Sequence, residues 1–376
     1  MALTTNHPVL GPRALNRATL ARQLLLSPAP LGVAEAVGHL LGLQAQNTKP
    51  PYYALAARLE GFRPEQLSAL MESREVARIV TMRSTVHTHT ARDAVALRGL
   101  VQPGAIDREL AMFVSRGGLD GVDLDRLAVL ARALVDERPR TPKELREELL
   151  QEWPDADPQS LSVAARCLLP LVQVTPRGLW GRGGQVALTT TDTWFQDGAG
   201  AEAAAGIDET VLRYLGAFGP ASVKDMQTWC GLTRLGEAFE RLRPRLLVFR
   251  SESGTELFDL PDAPRPDEDT PAPPRFLPEF DNLLLSHADR TRVVPAEHRS
   301  RTWSGNQAHR VFLLDGFLAG LWFLDEAKDR TTLTIEPFAR VTPTWRAALM
   351  AEAERTLRLM TAPGTPYDVR LGETRS

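Results

Sequence analysis

The chain has 376 residues, 43% apolar and 24% charged, with 44 basic and 47 acidic side chains and a net charge of −3. That length suggests two or three domains, and the composition excludes a wholly disordered chain and a histone-like basic coat. Two cysteines, Cys167 and Cys230, are too few for a disulfide scaffold or a four-thiolate zinc site.

The longest apolar stretch, 311–324, is broken by Asp315 and two glycines, so no membrane span is expected. The polar first eight residues lack an apolar signal core, and a cytoplasmic, reducing location is the expectation. Only four of the basic residues are lysines (Lys49, Lys143, Lys224, Lys328), which leaves 40 arginines. Arginine presents flat bidentate donors suited to phosphate and guanine edges, but a GC-rich genome also favours Arg over Lys. Composition by itself does not establish nucleic-acid binding.

Residues 14–46 read as two short helices, with Leu20, Leu24 and Leu25, then Val33, Val37, Leu40 and Leu41, at helical spacing. Pro50 and Pro51 are expected to stop the second helix near Asn47. A third helix is predicted over 64–71. Residues 77–89 are rich in β-branched side chains and read as extended. Helices followed by a strand pair form the outline of a winged helix.

The outline repeats. Thr141 and Pro142 open a helix as N-cap and first-turn residue, a second covers about 159–169, and strands at 171–174 and 186–189 flank a Gly-rich tip carrying Arg177 and Arg182. A third copy starts at Ile207, with a helix over 208–215, Ser222 as an N-cap, a helix over 232–242, and a hairpin of 246–250 and 257–260 turning over Ser253-Gly254. Residues 261–275 hold six prolines and four acids, and read as an extended linker. Strands follow at 283–286, 310–314, 318–324 and 331–337, with Asp315-Gly316 as a hairpin turn, and 346–360 reads as a closing amphipathic helix. The expected fold class is α+β: units at 14–135, 136–200 and 205–262, a linker at 263–275, and a C-terminal β-rich domain at 276–376 holding a small sheet or barrel.

Three segments hold candidate chemistry. In Leu43-Gln44-Ala45-Gln46-Asn47, three amides crowd an apolar helix end. Residues i and i+2 share a side only in extended chain, so both glutamines serve one site only if the helix has ended by Ala45; surface amides at a helix C-cap are the bland alternative. Along 81–89, strand alternation would put Arg83, Thr85, His87 and His89 on one face. His-X-His can bind metal, but no third ligand is near, and no metal is expected; a polar cleft lining and a solvated strand face both fit. Between 287 and 310, five arginines (Arg290, Arg292, Arg299, Arg301, Arg310) and three histidines (His287, His298, His309) face two acids. That suits a phosphate backbone, or an ion-pair network through Asp281, Asp289 and Arg290. No Walker loop, dinucleotide Gly fingerprint or Gly-X-Ser-X-Gly elbow occurs.

Together, Gly42-Leu43-Gln44-Ala45-Gln46, Arg83-Ser84-Thr85-Val86-His87, Leu277-Pro278-Glu279-Phe280-Asp281-Asn282-Leu283-Leu284, Asp289-Arg290-Thr291-Arg292 and Asp315-Gly316-Phe317-Leu318-Ala319-Gly320-Leu321-Trp322 resemble the bacterial winged-helix DNA glycosylases of the AlkZ type, over about residues 14–360. The resemblance implies three tandem winged helices around a concave DNA-binding channel. It implies a monofunctional glycosylase for alkylated purines on double-stranded DNA, needing no cofactor. It also implies self-resistance to DNA-alkylating natural products, including azinomycin-type interstrand crosslinks. Gln44 and Gln46 inherit the catalytic motif, and Gln46, where a sister branch carries Asp, favours the self-resistance branch. Asn47, Arg83, Thr85 and His87 would line the site. Arg177, Arg182, His287, Arg290, Arg292 and Arg301 would bind DNA, and a wrapping channel argues for a monomer.

The chemistry agrees. An N7-alkylguanine is already cationic and leaves without protonation, unlike a neutral base that needs a general acid. Neutral amides can then suffice, holding a water and stabilising an oxocarbenium-like sugar through their dipoles. Competing readings are a winged-helix regulator, which would leave no abasic site, and a drug-sequestering immunity protein, which would bind the alkylator without DNA.

Overall fold

The first turn that matters for function is made by Leu41 and Gly42. The helix Val33–His39 ends there because both residues take left-handed backbone conformations (φ 56° and 91°). A Cβ on Gly42 would lie 2.3 Å from the His89 ring, so only glycine fits. The chain then enters the short strand Leu43–Gln44, not a continued helix. Pro50 and Pro51 do not stop a helix but start one, Pro50–Ala56, because a missing N–H costs nothing in a first turn.

The computed structural model describes residues 7–195, 206–327, 329–362 and 364–374. The expected boundary between the second and third units, Lys328 and Met1 to Asn6 lie outside the described residues.

Residues 77–89 are not one extended run. They form a hairpin of Val76–Val80 and Val86–Thr90 around the tight turn Met82–Ser84, where Arg83 and Ser84 have φ of 56° and 58°. Thr85 closes the turn, its hydroxyl donating to the Met82 carbonyl at 3.0 Å. Leu43–Gln44 pairs antiparallel with the outer strand, Gln44 opposite His87. On the other side, Val76–Val80 pairs with Leu171–Gln173, which pairs with Leu188–Thr190. The first two hairpins therefore merge into one five-stranded sheet. Between them, the helices Ala91–Val101, Asp107–Ser115 and Leu124–Glu137 occupy a stretch for which the sequence reading assigned no elements. Thr141 caps Pro142–Glu152 in a reciprocal box with Glu144, and Pro158–Leu168 follows.

The third region comprises the helices Ile207–Phe218, Val223–Cys230 and Gly236–Leu242 and the hairpin Leu247–Ser251 with Glu256–Asp259. Ser222 caps the second of these helices, and Val9–Leu10 adds a parallel strand at the hairpin edge.

The C-terminal sheet is open and not a barrel. Its order is Tyr367–Leu371, Thr331–Pro337, Phe317–Glu326, Val311–Leu314, Arg275–Leu277. Asp315 and Gly316, both at positive φ, make the expected turn. The expected strand at 283–286 is instead the single turn Asn282–Leu284, since Asp281 caps the Leu283 N–H. The closing helix Pro343–Met360 buries Leu349, Ala353, Leu357 and Met360 against Phe276, Trp322 and Ile335, in one core with Val37, Leu43, Tyr52 and Tyr53. No helix among the described residues is long and apolar enough to cross a membrane.

The Pro-rich linker does not hang free. It lies along the first helix, Pro12–Arg22, where Arg13, Arg17 and Arg22 donate to the carbonyls of Glu268, Thr270 and Pro264. In the same helix Asn16 donates to the Arg292 and Gly316 carbonyls, both at 2.8 Å, and Arg22 forms a fully buried fork with Asp259 at 2.5 and 2.9 Å.

Candidate active site

The glutamine segment is built by competition for backbone partners. The Ala45 N–H donates to the Val86 carbonyl at 2.7 Å, as a strand would. The Ala45 carbonyl, however, accepts from Arg78 at 2.9 Å. The Val86 N–H therefore turns to the Gln46 side chain, donating to Oε1 at 3.0 Å. The strand ends there, and Gln44 and Gln46 line different recesses. Arg78 is buried, bonds also to Gln173, and is lowered to about 10 by desolvation, so it stays cationic at neutral pH.

Gln44 is only 6% exposed. Arg83 crosses from the turn, donating through Nη2 to Gln44 Oε1 at 2.6 Å and through Nη1 to the Trp229 carbonyl. Both guanidinium and backbone N–H only donate, so the amide orientations are chemically dictated. Each glutamine spends its oxygen on the protein and directs its NH2 group elsewhere. Gln44 borders a narrow crevice against Pro278, Glu279 and Phe280. Gln46 is exposed and lines a cavity of about 390 Å³ with Ser84, Glu109, Arg166 and Gln173.

The loop after Arg275–Leu277 braces this segment. Asn282 donates to the Gly42 carbonyl at 2.7 Å, holding the turn before Gln44. Asp281 takes both nitrogens of the Arg58 fork at 2.8 Å, with both side chains fully buried. Glu279 accepts from Asn47 at 3.1 Å and from Arg310 at 2.8 Å.

His87 is buried beside Arg83, and its Nδ1 donates to the Thr85 carbonyl at 2.9 Å. Desolvation and the nearby guanidinium hold its pKa well below 6.5, so it is neutral at pH 7. It stacks on His89, which burial lowers to about 4 and which meets the Thr81 hydroxyl through Nε2 at 2.9 Å. The two rings share one face of the strand, as alternation predicts, but that face is buried and not an open polar one.

The six expected DNA-binding residues scatter. Arg182 is exposed at the Gly-rich tip. Arg177 holds that loop by donating to the Gly184 carbonyl at 2.9 Å. The tip is not a free wing, because Tyr52 donates to the Gly178 carbonyl at 2.7 Å and packs at a tilt against Trp180. Arg290 is half-buried against the Leu284 carbonyl, and Arg301 lies over the Phe338 ring. His287 and Arg292 are interior. His287 donates to the Phe218 carbonyl at 2.9 Å and Arg292 to the Pro220 carbonyl at 2.7 Å. The sequence reading missed Arg78, Glu109 and Arg166. Nothing in their local sequence distinguishes them from other helix or strand charges, and only the fold brings them beside the glutamines.

Comparison with known proteins supplies the family. A model of the AlkZ-like DNA glycosylases matches residues 37–359. An interstrand DNA cross-link repair glycosylase of Streptomyces sahachiroi is 24% identical over 356 residues, covering 85% of this chain and 88% of the relative. The solved structure of the Streptomyces sahachiroi DNA glycosylase AlkZ superposes with a TM-score of 0.78 at 20% identity, covering 97% of this chain and all of that one, so the two share a fold. With the family model spanning most of its length, this chain belongs to the AlkZ-like family of DNA glycosylases.

Proposed function

We propose that this enzyme hydrolyses the N-glycosidic bond of N7-alkylguanine in double-stranded DNA, including bulky and interstrand-crosslinked adducts, and serves self-resistance to a DNA-alkylating natural product. It acts as a cytoplasmic monomer whose three helix–hairpin regions flank a DNA channel. The observation that carries this reading is Gln46. It is exposed, fixed by the Val86 N–H, and lines a cavity large enough for part of a nucleotide. Its amide NH2 is left to donate to the oxygen of an attacking water. Gln44, locked by Arg83, shapes the site from the other side of Ala45. A cationic leaving group asks for no acid, and the name of the Streptomyces sahachiroi relative supports crosslinked DNA as substrate. Arg182 at the tip and Arg290 and Arg301 on the C-terminal part supply phosphate contacts.

The test is a duplex with one N7-methylguanine, incubated with the protein and with Gln44→Ala and Gln46→Ala, then cleaved with alkali at abasic sites. The wild type releases the base; the variants bind duplex but release it slowly. Full activity in both variants, or none in the wild type, refutes the proposal.

A further inference from the structure

Loss of N7-alkylguanine by hydrolysis liberates a proton. The C1′–N9 bond breaks, its electron pair neutralises the cationic ring, and water oxygen bonds to C1′. One water proton must then go elsewhere. Neither glutamine can take it, since an amide is not a base in this range, and the Arg166 guanidinium only donates. Among the described residues lining the Gln46 cavity, Glu109 is the one carboxylate.

Its placement is specific. Glu109 sits in the first turn of the helix Asp107–Ser115, entered through a widened turn, Gln102–Ile106, with Gly104 far from helical geometry (φ −91°, ψ −117°). Such widened turns recur at functional sites. One carboxylate oxygen accepts from Arg166 Nη2 at 2.6 Å and the other from the Ser84 hydroxyl. Ser84 belongs to the turn two residues before Val86, whose N–H fixes Gln46. Carboxylate and amide are thus set by one short piece of backbone, and the carboxylate oxygen held by Arg166 keeps a lone pair beyond that partner. Glu109 and Arg166 are each about one-quarter exposed, so a proton can pass on to solvent.

We propose, resting on the glycosylase reading above, that Glu109 is the general base of the reaction: it accepts the proton of the water that Gln46 holds by its amide NH2. Arg166 and Ser84 position the carboxylate. The Cys167 thiol also faces it at 4.0 Å, and burial pushes that thiol up to about 11 and so keeps it neutral; Arg98 and Asp107 lie near the thiol and are tied to Gln102.

The experiment is single-turnover release of N7-methylguanine from duplex at pH 7, with the wild type, Glu109→Gln and Glu109→Asp, alongside duplex affinity and thermal midpoints. General-base loss is worth about 100-fold or more. Glu109→Gln is expected to release base at least about 100-fold more slowly with unchanged duplex affinity. Glu109→Asp recovers part of the rate. A merely structural ion pair would lower the thermal midpoint and leave base release by the folded variant within about tenfold of the wild type, which overturns the proposal. So does a Glu109→Asp variant that folds normally and recovers no rate over Glu109→Gln. An inactive wild type would instead sink the glycosylase reading itself.

Discussion

Replacing Asp281 with Ala leaves the Arg58 guanidinium buried without its counter-ion. Both side chains are fully inaccessible and joined by two 2.8 Å bonds. The remaining partners of Arg58 are neutral, the Ala54 carbonyl at 3.1 Å and Gln23 Oε1 at 3.3 Å, and its Nε has none. Removing one member of such a pair costs about 3–5 kcal/mol, and the Leu283 N–H loses its cap for about 1 kcal/mol more. Urea unfolding followed by tryptophan fluorescence should show a lower midpoint at unchanged slope. The double variant Arg58→Met/Asp281→Leu removes both charges and should return to within about 1–2 kcal/mol of the wild type. A loss under about 1 kcal/mol in Asp281→Ala, or a double variant as unstable as the single one, would refute this account of the brace. Because Asn282 and Glu279 flank the lost residue, base release should fall more than duplex binding in the single variant.

Three further outcomes are expected. Gly42→Ala forces a methyl group into the His89 ring at a positive φ; it should give poorly folded protein or a thermal midpoint many degrees lower, and a normal midpoint would count against the turn geometry. His89 has a folded-state pKa of about 4 against 6.5 unfolded, so the unfolded chain binds more protons between those values and stability falls as pH drops through them, by on the order of 3 kcal/mol in all; His89→Gln should flatten that dependence in urea midpoints taken at several pH values. Arg182→Ala should reduce the slope of log affinity against log salt for duplex DNA by about 1 without changing the rate of bound complex; an unchanged slope removes Arg182 from the DNA contacts.

Much of the scaffold is legible in the sequence. The strand Thr331–Pro337, the Asp315-Gly316 turn and the Thr141 and Ser222 caps follow from alternation and local capping chemistry alone. Errors came where a residue has two uses. Pro50 and Pro51 have the look of a helix stop but open the helix Pro50–Ala56, and Leu283 to Ser286 looks like a strand because it is apolar. The strand ladder could not be foreseen to stop at Ala45, because the partner that diverts its carbonyl is Arg78, far along the chain. Charge clusters are ambiguous for a related reason: Arg292 and His287 sit among arginines in sequence, but they bond to the interior carbonyls of 220 and 218, respectively.

The buried polar side chains of the first helix have a consequence for synthesis. Asn16, Arg17 and Arg22 are made first, yet Asn16 meets its Gly316 acceptor 300 residues later. At ~5–20 residues per second, a ribosome needs about 15 s to a minute to supply it. Until then the contacts of this helix stay incomplete, so the N-terminal region cannot mature alone and the last third of the chain completes the first. A prematurely terminated product should be an open substrate for proteases, while a separately expressed C-terminal fragment should rescue it by assembling in trans.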